Sequence, residues 1–193
     1  MSISLTKKQS ISLVKPDGAG LTSVTMGLGW DPVKKKGIFG FGGGNGDIDL
    51  DASCLMLGAS GNLIDTVWFR SLRSKDGSIS HSGDNLTGQG DGDDEKISID
   101  LTRVPASVQS LVFTVNSFRG QTFDEVAGAF CRLVDNTTSK EMAKYTLSGG
   151  GRHTAMIMAR LNRAGQGWTM QALGEPGQGQ IFEQLLPQIR QLG

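Results

Sequence analysis

Short segments in which a two-residue alternation of apolar and polar positions dominates run through the chain: Ser10-Ile11-Ser12-Leu13-Val14, Val24-Thr25-Met26-Gly27-Leu28, Ile48-Asp49-Leu50-Asp51, Lys96-Ile97-Ser98-Ile99-Asp100-Leu101, Ser110-Leu111-Val112-Phe113-Thr114-Val115 and Ala155-Met156-Ile157-Met158-Ala159-Arg160-Leu161. A period of two sends successive side chains to opposite faces, so each segment is predicted as a strand with one face in a core. Turn formers separate them: Pro16-Asp17-Gly18, Ser60-Gly61-Asn62, Asp76-Gly77, Ser148-Gly149-Gly150-Gly151 and Ala164-Gly165-Gln166-Gly167. Short strands with turns at this spacing read as a mainly all-β chain, a sandwich or a barrel.

A period near four marks two exceptions. Thr122-Phe123-Asp124-Glu125-Val126 predicts a single helical turn capped by Thr122, and residues 180–192 predict a C-terminal helix with Ile181, Leu185, Ile189 and Leu192 on one side. Pro187 breaks that ladder or starts a second short helix. The apolar side is expected to pack on a sheet, with docking to a partner as the alternative. Lys34-Lys35-Lys36 and the glycine-dense run through Gly46, which includes Phe39 and Phe41, match neither period and predict a flexible surface insertion over 34–46. A phosphate-cradling loop needs a strand before it and a helix after it; here an acidic strand follows.

Length adds one constraint: 193 residues suit a single domain over 1–193 with a conventional core. Lys+Arg and Asp+Glu number 19 each, so no net field favours nucleic acid or an acidic membrane, and charge-driven function must be local. Cys54 and Cys131 sit in apolar stretches and read as reduced core thiols. The polar start of the chain lacks a signal-peptide core and no apolar run reaches about 18 residues, so a cytoplasmic location is expected.

The local charge is concentrated in residues 83–95. Asp84, Asp91, Asp93, Asp94 and Glu95 crowd together with no Lys or Arg between them. Such repulsion is costly without a cation. Gly83, Gly88, Gly90 and Gly92 let the backbone curl so that carbonyl oxygens, Gly88 among them, can turn inward, while Asn85 and Thr87 add neutral oxygens. An all-oxygen, flexible donor set favours calcium over magnesium, and the absence of Cys and His from the loop disfavours zinc and copper. A second set, Asp47, Asp49 and Asp51, lies on one face of a predicted strand with carboxylates about 7 Å apart. These two segments are expected to hold calcium between them, two ions in all. The helix-loop-helix calcium motif does not fit: counted from Asp84 its third position is Leu86, and counted from Asp47 its sixth is Ala52 where glycine is required.

Taken together these residues resemble the TerD family of tellurium-resistance and stress proteins. The resemblance rests on Gly27-Leu28-Gly29-Trp30-Asp31, Asp47-Ile48-Asp49-Leu50-Asp51-Ala52-Ser53, Asp76-Gly77-Ser78, the acidic loop, Val104-Pro105, Gly120-Gln121-Thr122-Phe123 and the region of Trp168. Trp30-Asp31-Pro32-Val33-Lys34-Lys35-Lys36 and Val115-Asn116-Ser117-Phe118 are similar to the TerZ-type branch, whereas the glycine-rich insertion departs from the commonest pattern. The resemblance implies a β-sandwich with calcium-binding loops at one end. It also implies association with other proteins of a tellurium-resistance operon, including an integral membrane partner, at the inner face of the membrane.

A catalytic reading lacks a nucleophile with a base, so no enzyme activity is expected. His81 and His153 border turns and are expected in surface or hydrogen-bonded loop roles. A metal-dependent phosphodiesterase would need an Arg or Lys aimed at a phosphate, and the acidic loop has none. A calcium-dependent adaptor to anionic membranes is the other alternative, with Lys34, Lys35, Lys36, Phe39 and Phe41 as its contact.

Overall fold

The computed structural model describes residues 2–15, 17–32, 49–84, 92–146 and 151–192. Among them, twelve strands form two sheets of six. The strands are β1 Ile3–Ser4, β2 Ser10–Ser12, β3 Ser23–Pro32, β4 Leu50–Leu57, β5 Leu63–Val67, β6 Ile79–His81, β7 Glu95–Asp100, β8 Ser110–Ser117, β9 Val126–Asp135, β10 Lys140–Thr146, β11 Ala155–Ala164 and β12 Gly167–Gly177. One sheet runs β1-β10-β9-β3-β7-β6 and the other β2-β12-β11-β8-β4-β5. Pairing is antiparallel except for β1 with β10. The sandwich expectation therefore holds, and every alternating segment found in the sequence lies in or overlaps a strand.

The alternation decides what fills the space between the sheets. Met26 and Leu28 of β3 and Ile97 and Ile99 of β7 meet Leu50, Ala52, Cys54 and Met56 of β4 and Leu111, Phe113 and Val115 of β8 in one buried cluster. In β11 the run Ala155-Met156-Ile157-Met158-Ala159 is apolar throughout, so strict alternation fails there. A register shift between Ile157 and Ala159 resolves it, letting both Met158 and Ala159 join the inner core. Cys54 and Cys131 are buried and unbridged, and loss of water pushes both thiols up, Cys131 to about 12.

The C-terminal segment packs on the outer face of the second sheet. It comprises a 3-10 turn, Phe182–Leu185, followed by a short helix α1, Leu186–Gln191, with Pro187 in the opening turn where its missing N–H costs nothing. Phe182, Leu185 and Ile189 are buried against Leu55, Leu57, Val112, Ile157 and Leu173, which settles the choice in favour of packing. Burial of each such side chain is worth about 2 kcal/mol. At Phe123–Glu125 the turn forms, but the Thr122 side chain makes no capping hydrogen bond, contrary to expectation.

Candidate metal centre

β4 belongs to one sheet and β6 and β7 to the other, and the three meet at one end of the sandwich. Asp49 immediately precedes β4, and its carbonyl accepts a hydrogen bond from the Phe118 N–H just beyond β8. Asp51 lies within β4, paired with Asn116 of β8. Asp84 follows β6 across the sandwich. Carboxylate oxygens of Asp49, Asp51 and Asp84 come within 4.8 Å of one another, although Asp84 is 33 residues from Asp51 (84 − 51).

The electrostatics of this trio are unbalanced. Asp49 and Asp51 are each only 4% exposed. Asp49 Oδ1 and Asp51 Oδ2 are buried without a hydrogen-bond partner. Burial raises the Asp51 carboxyl to about 8, with further push from Glu95, Asp49 and Asp84 and a small opposing pull from Arg70. Asp49 is raised chiefly by burial and by Asp84, against the pull of Arg119, whose Nε lies 3.5 Å from Asp49 Oδ2. A buried carboxylate oxygen without a donor is expensive to keep ionised, so this arrangement takes either a proton or a cation. Three converging carboxylates with open lone pairs fit a hard divalent cation, and the donor set is all oxygen.

The trio is held across the sheets by a buried clamp. His81, at the end of β6, has a wholly buried side chain. Its Nδ1 accepts the N–H of Gly83 at 3.0 Å, which places the ring proton on Nε2. Nε2 lies 3.2 Å from the Ala52 carbonyl and 3.4 Å from Glu95 Oε2, and Glu95 Oε2 also accepts the Ala52 N–H at 2.7 Å. Ala52 is thus gripped on both its backbone groups, fixing Asp51 beside it, while the Gly83 contact fixes Asp84. Of the surface or hydrogen-bonded loop role expected for His81, the hydrogen bonding holds, but the side chain is buried and not at the surface. His153 stacks on Phe123 at 4.8 Å, and its pKa is lowered by burial.

The acidic loop divides. Asp93 is drawn to Arg132 of β9 through two bonds, Nε to Oδ1 at 2.7 Å and a second guanidinium nitrogen to Oδ2 at 3.0 Å. Asp94 Oδ2 accepts the Trp30 N–H at 2.9 Å, and the Asp94 N–H reaches the Leu28 carbonyl. Glu95 lies in the clamp. Asp93, Asp94 and Glu95, expected as ligands, each accept a hydrogen bond within the protein, and among the described residues the acids that converge within 4.8 Å are Asp49, Asp51 and Asp84. The reason is visible in β3: a Cβ at Gly27 would collide with the Asp93 carboxylate, and one at Gly29 with the Gly92 carbonyl. The two glycines leave the shallow bed on which residues 92–94 lie. Asp47, Asn85, Thr87, Gly88 and Asp91, and the 34–46 insertion, fall outside the described residues.

Fold and site together define a two-sheet β-sandwich that gathers buried carboxylates where the sheets meet at one end. Residues 1–188 match the TerD domain, and the chain belongs to the TerD family. It is 51% identical over 184 residues to the tellurium resistance protein TerZ of Serratia marcescens, covering 95% of this chain and 94% of that protein. It is 46% identical over 187 residues to the stress response protein SCP2 of Bacillus subtilis, covering 91% and 92%. A crystal structure of a Streptomyces coelicolor homologue of the telluride resistance protein TerD superposes with a TM-score of 0.67 at 24% identity, covering 83% of this chain and 92% of that one, and so shares the fold. TerZ and SCP2 carry the names of a resistance protein and a stress response protein. Among the described residues no helix is long and apolar enough to cross a membrane.

Proposed function

We propose that this chain is a calcium-binding stress-response module whose ion is held by Asp49, Asp51 and Asp84 and tightens the join between the two sheets. The observation that carries the reading is the pair of orphaned buried oxygens, Asp49 Oδ1 and Asp51 Oδ2, converging with a third carboxylate. Calcium supplies the missing positive charge, and its binding energy stabilises the folded arrangement by mass action. The names of TerZ and SCP2 support a role in tellurite resistance and general stress. Within that role the module acts in the cytoplasm as a metal-dependent structural or sensing element of a larger assembly at the membrane, alongside other resistance proteins.

Calcium titration by calorimetry, with thermal melting in parallel, tests the site. Wild type should bind calcium and melt higher with it, with little response to magnesium, and Asp84→Ala should bind at least about thirtyfold more weakly. A wild type that gives neither heat nor a melting shift with calcium would refute the reading.

A further inference from the structure

The carboxylate trio has a cationic rim supplied by two turns distant in sequence. Arg119, just beyond β8, touches Asp49 through Nε alone, and 45% of its side chain is in solvent. Arg70, just beyond β5, follows Phe69, whose ring meets Phe118, the neighbour of Arg119, at 5.5 Å. The Arg70 guanidinium carbon stands 5.2 Å from the Phe69 ring and 5.6 Å from the Trp68 ring, and it makes no hydrogen bond or ion pair with any described residue. Each guanidinium is a planar fork of five donors, matched to oxyanions. Between them the two forks make a single polar contact with the described residues, the 3.5 Å approach to Asp49.

An aromatic ridge joins the two turns. Phe69 and Phe118 meet edge to face at 5.5 Å, Trp68 packs behind Phe69 at 4.9 Å, and Phe118 is 37% exposed. Next to the carboxylates there are thus available arginine donors and an exposed apolar edge. Calcium accepts six to eight oxygens, and a ligand oxyanion can add to those of the protein. Arginine placement is the ingredient that the acidic loop itself lacks.

We propose that Arg70 and Arg119 form an oxyanion subsite beside the Asp49, Asp51 and Asp84 cluster, taking the phosphate of a phosphomonoester whose organic body lies along Phe69 and Phe118. This rests on the calcium reading above, since the ion is what turns the acidic cluster from a repellent of anions into an acceptor of them. The ligand is a phosphomonoester either free in solution or at the head of a lipid; the chemistry recognised is the same.

The test is calorimetry on the full chain, with calcium first and sn-glycerol 3-phosphate second, for wild type, Arg70→Gln, Arg119→Gln and the double variant. All four should bind calcium, Arg119→Gln no more weakly than wild type because a competitor for Asp49 is gone. Glycerol phosphate should bind only the calcium-loaded protein, about tenfold more weakly in each single variant and at background in the double. Sedimentation with phosphatidylcholine vesicles, with and without phosphatidic acid, identifies the source. Pelleting that needs calcium, phosphatidic acid and both arginines assigns a lipid; glycerol phosphate binding without pelleting assigns a free ester. Calcium-loaded wild type that ignores both probes overturns the subsite alone, as does a double variant that binds like wild type. Failure of calcium itself to bind overturns this inference together with the reading beneath it.

Discussion

Two sets of carboxylates lie at the same end of the sandwich and are treated in opposite ways. Asp93, Asp94 and Glu95 are each met by a dedicated donor: a guanidinium, a Trp30 N–H, an Ala52 N–H. Asp49 and Asp51 are as deeply buried as Asp93, yet each keeps an oxygen that no donor reaches. The first set is engaged by donors within the protein and holds the loop in place. The second is incomplete within the protein and open to an added charge. Acidity alone does not distinguish them; the donors around them do.

The largest break in this contrast is expected from the satisfied set. Glu95→Ala leaves the Ala52 N–H without its buried acceptor and His81 Nε2 with the Ala52 carbonyl alone, and should cost about 3 kcal/mol of stability with or without calcium, measured by urea unfolding. The open set behaves inversely. Asp51→Asn should weaken calcium binding by about a hundredfold, roughly 2.7 kcal/mol, while leaving the calcium-free protein as stable as wild type or more so, because it removes a penalised charge. A calcium-free Asp51→Asn protein that melts well below wild type would show Asp51 to be structural instead.

The titration of Asp51 sharpens the same point. Its folded carboxyl titrates at about 8, above the ordinary value of 3.8. Between these values the folded state holds a proton that the unfolded state has released. The Asp51 contribution to calcium-free stability is therefore most favourable below about 4 and falls as pH rises from about 4 through about 8. Calcium should flatten this decline and release close to one proton per site at neutral pH, read as a dependence of the binding heat on the buffer.

Smaller effects are expected along the bed of the loop. Gly27→Ala forces Asp93 off Arg132 and should cost about 2 kcal/mol in melting experiments. Arg132→Gln removes a pair whose guanidinium is 31% exposed, so solvent screening limits the loss to about 1 kcal/mol. If the Arg132→Gln loss exceeded that of Glu95→Ala, the loop bed rather than the His81 clamp would be the main anchor of this end.

Much of the fold was legible because strand patterning is local. The alternation in β7 and β8 marked their inner faces correctly, Ile97 and Ile99 in one and Leu111, Phe113 and Val115 in the other. β12 is masked in the sequence, although Trp168, Met170 and Ala172 alternate inward, because the glycines at both its ends read as turn formers. In β10 a register shift between Glu141 and Ala143 blurs the period. Gly27 and Gly29 stood out as a motif, but their purpose, room for residues 92–94, depends on a segment more than 60 residues away.

The amino-acid order by itself determined a chain of two-periodic strands, an acidic inventory too dense to stand unanswered, and the oxygen-only character of a candidate site. Those properties reside in neighbouring residues. Only the tertiary structure decided which carboxylates converge, since β4 lies in one sheet and β6 and β7 in the other. It also decided which acids are already answered by Arg132, Trp30 and Ala52, and it brought Arg70 and Arg119 to the rim. Desolvation and donor supply are set by whatever non-local segments pack around a side chain. No spacing along the chain encodes them.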